Sequence, residues 1–181
     1  MRCLITAILL ASSAWASGEL SGRRAPGFSL FDWQYQRQYD PQDFRGKVIV
    51  LEFMQTNCPH CAQFADILEE VNTKYAGRIA VFSVVNPPDN PNTVGAYVSG
   101  HRTKVPVLFD CGQVAASYFK ATPQNASFDV PHVFLIDAQG MIRNDWAYSL
   151  LTREIFEGRA LFEEIDRLLG GAASPKRSTR K

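Results

Sequence analysis

The stretch VIVLEFMQTNCPHC, residues 48–61, decides the fold that we expect for this chain. Its first seven residues are almost continuously apolar, which is typical of a buried central β-strand. Two cysteines, Cys58 and Cys61, follow this strand at a spacing that lets a disulfide close across one helical turn. From residue 59 to 75, apolar side chains recur every three or four positions, and this period predicts a helix. A strand, a dithiol and a helix therefore follow one another directly.

The dithiol predicts a site of reversible thiol–disulfide exchange. We expect Asn57 to be the N-cap of the helix and Pro59 to be its first residue. Backbone N–H groups and the helix dipole would then stabilise a thiolate at Cys58, which we predict to be the nucleophile. Cys61 lies one turn into the helix and is the predicted resolving thiol. An imidazolium at His60, between them, would stabilise the thiolate and make the disulfide a stronger oxidant.

A structural disulfide and a zinc site are the alternatives to a redox dithiol. A zinc site needs further ligands, and the sequence contains no second C-x-x-C and no H-x-x-x-H to supply them, so we predict no metal. The residue after Cys61 is Ala62, which excludes the C-x-x-C-H pattern of haem attachment. Of the two other cysteines, we expect Cys3 to leave with an N-terminal signal and Cys111 to be a bystander, with a second redox-partner thiol as the alternative role of Cys111.

Strand-like and helix-like segments alternate along the remainder of the chain, which predicts an α/β fold. We expect a central mixed β-sheet flanked by helices, with an extended or hairpin segment over residues 19–45 and an inserted βα element. A hairpin over residues 132–147 would add an antiparallel edge. A final amphipathic helix is expected over residues 152–169. The length of 181 residues, 46% of them hydrophobic, suits one domain.

The start of the chain predicts export. Residues 1–16 combine a basic residue, a short apolar stretch and a small-x-small pattern, so we expect a signal peptide that is cleaved after Ala16. The apolar stretch is too short to cross a bilayer comfortably, and a retained anchor is the alternative. The mature chain would be periplasmic or otherwise extracytoplasmic and would have no stable membrane span.

The mature chain divides into a domain and a tail. Residues 17–169 would form the folded domain, and residues 170–181 would form a basic disordered tail. The chain has 19 basic and 18 acidic residues, and this near balance gives no sign of a basic surface for nucleic acid. We therefore predict no nucleic-acid partner.

At three positions the chain resembles the thioredoxin-fold thiol–disulfide oxidoreductases of the exported TlpA/ResA-like kind, which are thioredoxin-like (redoxin) proteins. They are the C-P-H-C motif after the strand, Glu52 six residues before Cys58, and Val130-Pro131 ahead of a later predicted strand. The resemblance extends from residue 25 through the final helix. It implies a thioredoxin-like fold, protein thiol or disulfide substrates, an upstream redox partner, a monomer and no cofactor.

The resemblance also implies roles for these residues. Glu52 would be a buried carboxyl group that handles the proton of the resolving thiol Cys61, because a carboxylate in an apolar strand has a raised pKa. A strand residue that points to solvent is the alternative for Glu52. Pro131 would be a cis-proline that faces the disulfide, and an ordinary trans loop proline is its alternative. Val130, just before it, would pair with an extended substrate chain through backbone hydrogen bonds.

The resemblance leaves the direction of electron flow open. The C-P-H-C motif and the valine before Pro131 are similar to those of the periplasmic oxidant DsbA. Proteins of the TlpA/ResA-like kind are mostly reductants, and the spacing from Cys61 to Pro131 is too short for the helical domain that is inserted in DsbA. The active-site motif and the overall layout thus resemble different branches of the fold.

Two other thioredoxin-fold families are competing hypotheses. A copper-binding chaperone of the SCO kind, which serves cytochrome oxidase assembly, would combine His132 with the two cysteines, but SCO-like proteins use C-x-x-x-C. A peroxiredoxin would need a P-x-x-x-T-x-x-C motif, and residues 51–57 contain no proline. We therefore predict thiol–disulfide exchange and keep the copper chaperone as the alternative.

Overall fold

The computed structural model describes residues 18–171 of the chain. The predicted signal peptide at residues 1–16 and most of the predicted tail, residues 172–181, lie outside the described residues. Within residues 18–171, no helix is both long enough and apolar enough to cross a membrane.

A five-stranded mixed β-sheet forms the centre of the described chain, with the strand order β5-β4-β3-β6-β7. Three strands run parallel: β3 (Val48–Met54), β4 (Ile79–Val85) and β5 (Val107–Phe109). Strand β6 (His132–Ile136) is antiparallel to β3, and β7 (Ile142–Ala147) is antiparallel to β6. The predicted mixed sheet with an antiparallel hairpin at its edge is therefore confirmed.

Helices cover both faces of this sheet. Helix α1 (Pro59–Lys74) and helix α5 (Arg159–Gly171) pack on one face, and helix α3 (Gln113–Phe119) packs on the other. Helix α2 (Pro91–His101) packs beside α1, and the short helix α4 (Arg153–Phe156) precedes α5. The predicted α/β class is confirmed by this layered arrangement.

The segment before β3 forms the short hairpin that the sequence predicts. Strand β1 (Leu30–Phe31) pairs with β2 (Gln38–Tyr39) in antiparallel fashion. A 3₁₀ turn, Pro41–Phe44, then leads into the first central strand. Asp40 caps this turn by accepting a hydrogen bond from the backbone N–H of Gln42 at 2.8 Å.

Aromatic side chains fasten this leading segment to the sheet around Phe82 of β4. The rings of Phe28, Tyr39 and Phe44 meet the Phe82 ring edge-on, with centroid distances of 6.4, 5.6 and 5.1 Å. Such edge-to-face pairs stabilise a core beyond the burial of their area. The leading segment is therefore part of the domain and covers the α3 face of the sheet.

The final helix differs from the single helix predicted over residues 152–169, because the chain breaks at Gly158 into α4 and α5. Gly158 has a φ of 92°, a conformation that favours glycine. A Cβ atom at this position would lie only 3.1 Å from Cγ2 of Ile67 on α1. The close approach of the chain to α1 therefore ends α4 at this point.

Strand β3 is buried on both faces, and its alternation decides which side chains meet α1. Val50 packs in the cluster with α1 and α5, whereas Leu51 and Phe53 pack in the cluster on the α3 face. Side chains two residues apart share a face of a strand. Glu52 therefore lies on the α1 face, between Val50 and Met54.

We predict that Phe82→Ala lowers the free energy of unfolding by about 3–5 kcal/mol, because it removes a ring that is buried among three others. Urea denaturation of the oxidised protein, followed by circular dichroism, measures this loss. Leu150→Ala is the control, since Leu150 is 86% exposed, and it should change stability by less than about 0.5 kcal/mol. A loss below about 1 kcal/mol for Phe82→Ala would contradict this packing.

Candidate active site

The two cysteines of the C-P-H-C motif form a disulfide directly after β3. Their Cα atoms are 5.2 Å apart. Cys58 is the N-cap of α1, and its Sγ accepts a hydrogen bond from the backbone N–H of Cys61 at 3.2 Å. A sulfur in this position lies at the positive end of the helix dipole, which stabilises a thiolate.

The prediction that Asn57 caps this helix is wrong by one residue. Pro59 occupies the first helical position, where its missing N–H costs no hydrogen bond. The residue before it, Cys58, has an extended backbone with φ −90° and ψ 115° and therefore provides the cap itself. Because Cys58 is the cap, its sulfur directly contacts a backbone N–H of the first helical turn.

The two sulfurs differ in their access to solvent. Cys61 is 0% exposed and packs with Met54 and Tyr97 between α1 and α2. Cys58 is half-buried at the surface. An incoming thiolate or disulfide can therefore reach Cys58, whereas the chain covers Cys61.

The loop before β6 lies against the disulfide. The bond between Val130 and Pro131 is cis, as the resemblance implies, and the trans alternative is wrong. The sulfur of Cys58 lies 3.8 Å from the carbonyl oxygen of Val130. The carbonyl of Pro131 accepts a hydrogen bond from the backbone N–H of Tyr148 at 3.0 Å, which ties this loop to the end of β7.

Glu52 is buried, so the alternative in which it points to solvent is wrong. Its side chain is 1% exposed, and its Oε2 accepts a hydrogen bond from the hydroxyl of Ser83 at 2.6 Å. Its Oε1 has no hydrogen-bond partner among residues 18–171. Burial raises the pKa of Glu52 to about 8, although the bond from Ser83 opposes the rise. Glu52 can therefore take up or release a proton near neutral pH.

Tyr97 of α2 contacts Cys61 and lies close enough to Glu52 to feel its charge. The hydroxyl of Tyr97 donates a hydrogen bond to the carbonyl of Cys61 at 3.2 Å. Burial raises the pKa of Tyr97, and the charge of the Glu52 carboxylate raises it further. Glu52 and Cys61 therefore both lie in the neighbourhood of this tyrosine, on the α1 face of the sheet.

His60 is exposed on the first turn of α1. Its ring stacks on the ring of Tyr148, with a centroid distance of 3.9 Å and an angle of 20° between the planes. Its Nδ1 lies 3.4 Å from Oε1 of Gln63, one turn further along the helix. The imidazole is thus held by the aromatic side chain of the residue that follows β7.

His132, the copper ligand of the competing hypothesis, lies on the α3 face of the sheet, opposite the α1 face. It pairs across the strands with Phe53, which packs on the α3 face, and it stacks on Phe134. Its Nε2 lies 3.2 Å from Oδ2 of Asp145, and both side chains are buried. Within the described chain, no three His, Cys, Asp or Glu side chains form a group that could hold a metal ion. The structure therefore does not combine His132 with the two cysteines as the copper hypothesis requires.

Asp89 belongs to the site although the sequence analysis missed it. Its Oδ2 accepts a hydrogen bond from the backbone N–H of Thr56 at 3.0 Å, and its carboxylate also accepts one from the Thr56 hydroxyl. Its Oδ1 further accepts a bond from the hydroxyl of Thr93 at 2.9 Å. The loop after β4 is thereby joined to the loop that carries Cys58. The available signal was the position of both loops at the carboxyl ends of adjacent parallel strands.

Ser83, Tyr97 and Tyr148 were also missed, because each contact of these residues joins segments that are distant in sequence. Cys111 is exposed and forms no disulfide, and its predicted role as a bystander stays a prediction.

Comparison with known proteins identifies the family. The model of the AhpC/TSA family matches residues 21–145, more than half of the chain. The thioredoxin-like protein YneN of Bacillus subtilis (strain 168) is 25% identical over 140 residues, which cover 76% of this chain and 78% of YneN. The thiol-disulfide oxidoreductase ResA of Bacillus anthracis is 26% identical over 121 residues, covering 67% of this chain and 66% of ResA. The chain thus spans slightly less than two thirds of the length of ResA.

Solved structures show the same fold. A thioredoxin-family thiol:disulfide interchange protein from Chlorobium tepidum TLS superposes with a TM-score of 0.66 at 18% identity, covering 82% of this chain and 97% of that protein. The exposed lipoprotein thioredoxin of Streptococcus pneumoniae strain TIGR4 gives a TM-score of 0.63 at 19% identity, covering 79% and 100%. These likenesses confirm the thioredoxin-like fold.

The relatives and the Cys58–Cys61 pair together support an enzyme that carries out thiol–disulfide exchange. The resemblance to the TlpA/ResA-like proteins is confirmed by the match to ResA. The chain belongs to the AhpC/TSA family.

Proposed function

We propose that this protein exchanges disulfides with the cysteines of other proteins through Cys58 and Cys61, outside the cytoplasm. One observation carries the proposal: a half-buried sulfur at the start of α1 forms a disulfide with a fully buried one. This asymmetry suits a nucleophile and a resolving thiol, because only the accessible sulfur can react with a second protein.

The exchange conserves electrons and protons. When the disulfide acts as oxidant, a substrate thiolate attacks Sγ of Cys58, the bond between the two cysteines breaks, and Cys61 leaves as a thiolate that takes up a proton. A second substrate thiol, after losing its proton, attacks the substrate sulfur of the mixed disulfide and releases Cys58 as a thiolate. The substrate loses two electrons and two protons in total. The reducing direction runs the same steps in reverse.

Glu52 is the proposed proton donor and acceptor for Cys61. In the reducing direction the thiol of Cys61 must lose a proton before it attacks, and in the oxidising direction it must gain one. A carboxyl group with a pKa of about 8 can serve in both directions near neutral pH. The position of Glu52 on the α1 face and its Oε1, which is without a partner among residues 18–171, support this role.

Val130 and Pro131 form the proposed docking edge for the substrate. The proximity of the Val130 carbonyl to the sulfur of Cys58 supports this role. An extended segment of a substrate protein that pairs with the backbone of Val130 would bring its own cysteine close to Cys58. Backbone pairing of this kind accepts many sequences, which suits an enzyme that acts on more than one protein. The upstream redox partner would use the same edge.

We predict that Cys58→Ser lowers the turnover of protein disulfides by at least about a hundredfold, because it removes the attacking sulfur. The assay follows the reduction of a disulfide-containing protein with dithiothreitol as the electron source. Cys111→Ser is the matched control and should keep the wild-type rate, since Cys111 lies outside the disulfide. Wild-type turnover in Cys58→Ser would refute the proposed nucleophile.

We predict that Glu52→Gln removes a pH dependence of stability. The folded chain holds the Glu52 proton to about pH 8, whereas the unfolded chain releases it near 4.5. Between these values the folded state binds more protons, so the free energy of unfolding falls as pH rises, by up to about 1.4 kcal/mol per pH unit. Glutamine cannot ionise, so the variant should gain stability relative to wild type from pH 5 to pH 8.

Urea denaturation of the oxidised proteins at pH 5, 6.5 and 8 measures this difference. Glu70→Gln is the control, because Glu70 is an exposed carboxyl group on the same helix as the cysteines. It should follow the wild-type curve. Parallel curves for wild type and Glu52→Gln would mean that Glu52 ionises as it does in the unfolded chain.

Export is tested by expressing the full chain in a Gram-negative bacterium. We predict that the protein is recovered from the periplasm with Ser17 as its first residue, because Ala16 ends a small-x-small pattern. Mass spectrometry of the intact protein gives its first residue. Ala16→Leu should block cleavage, since signal peptidases need a small residue at this position. Recovery of the intact chain from the cytoplasm would contradict export.

A further inference from the structure

Tyr148 connects three parts of the site. Its backbone N–H donates a hydrogen bond to the carbonyl of Pro131 at 3.0 Å, and its ring stacks on the ring of His60. The Tyr148 ring also meets the ring of Phe156 on α4 edge-to-face, with a centroid distance of 5.4 Å. Tyr148 directly follows β7, so the sheet fixes where its backbone begins. The residue thus joins the first turn of α1 to the loop that faces the disulfide.

We propose that Tyr148 is a positioning residue that holds the imidazole of His60 beside the start of α1, so that His60 acts on the sulfur of Cys58. The inference rests on the proposed function, because it concerns the redox equilibrium of the same dithiol. Tyr148 itself exchanges neither electrons nor protons in this role.

His60 needs such a support because its other contacts are weak. Its side chain is exposed, and its polar contact, to Gln63, spans 3.4 Å. A cavity of about 340 Å³ opens beside the stacked rings and is lined by Ile67, Arg153 and Phe156, among others. Without the tyrosine ring the imidazole would have room to turn away from α1.

The charges in this cavity do not replace the tyrosine. Nε of Arg153 on α4 lies 2.5 Å from Oε1 of Glu157, the residue after α4, so these two charged groups that line the cavity pair with each other. Among residues 18–171, the His60 ring contacts the Tyr148 ring and the side-chain amide oxygen of Gln63. The aromatic stack is therefore the contact that fixes the plane of the imidazole.

The stack between Tyr148 and His60 should favour the dithiol form of the protein over its disulfide form. Reduction by glutathione converts the protein disulfide and two glutathione molecules into the protein dithiol and one glutathione disulfide. The dithiol form can carry a thiolate on Cys58, whereas the disulfide form carries no charge there. An imidazolium at His60, held near Cys58 as we propose, would stabilise this thiolate, so the stack would favour the dithiol. Loss of the stack should shift the equilibrium toward the disulfide.

The equilibrium constant of this reaction tests the inference. Tyr148→Leu keeps an apolar side chain against Phe156 but removes the stack, and we expect it to lower the constant for dithiol formation by about threefold. Tyr148→Met makes the same change with a different shape and should shift the constant in the same direction, should the leucine variant fail to fold. Tyr148→Phe keeps the ring and should restore a constant close to that of the wild type.

A double variant separates positioning from general damage. In a His60→Ala background, Tyr148→Leu should leave the constant unchanged, because the side chain through which it acts is gone. An equal shift in both backgrounds, or no shift in either, would overturn the inference. If the wild-type disulfide does not equilibrate with glutathione at all, the proposed function fails instead, so the two failures are distinguishable.

Discussion

The burial of β3 on both faces is the constraint on which the rest of the structure depends. All seven residues of Val48–Met54 are buried, because helices cover each face of the sheet. The chain then needs only residues 55–58 to reach α1. A short connection between two packed elements leaves the sulfurs little freedom, so Cys58 stays at the surface and Cys61 in the core. The hydrogen bonds from Thr56 to Asp89 secure this connection from the neighbouring loop.

The same burial determines the chemistry of Glu52. A charged carboxylate in this strand would lose its hydration, and the bond from Ser83 compensates only part of that loss. The group therefore keeps its proton to about pH 8, where thiols also begin to ionise. The packing that buries Cys61 and leaves Cys58 at the surface thus also places a carboxyl group that can exchange protons, Glu52, on the α1 face of the sheet.

The sequence predicted the features that depend on local signals and missed those that depend on distant contacts. The run before Cys58 indicated β3, the apolar period indicated α1, and both were confirmed. The N-cap was misplaced because asparagine is a common cap, whereas the helix begins at Pro59, as predicted, so Cys58 directly before Pro59 is the cap. The break at Gly158 arises from its contact with Ile67, which lies on another helix. The burial of Glu52 was predicted from the resemblance alone. In a strand that is apolar on both faces, the alternation of side chains does not show whether a given residue points to solvent or to the core.

Mapping the mixed disulfide tests the division of roles between the two cysteines most directly. In a Cys111→Ser background, reduced Cys61→Ser and Cys58→Ser proteins are each incubated with glutathione disulfide, and mass spectrometry follows the adduct over time. The exposure of the two sulfurs predicts rapid modification of Cys58 in the first protein and modification of Cys61 at least about tenfold slower in the second. Equal rates would show that burial does not distinguish the thiols, and would contradict the assignment of Cys58 as the nucleophile.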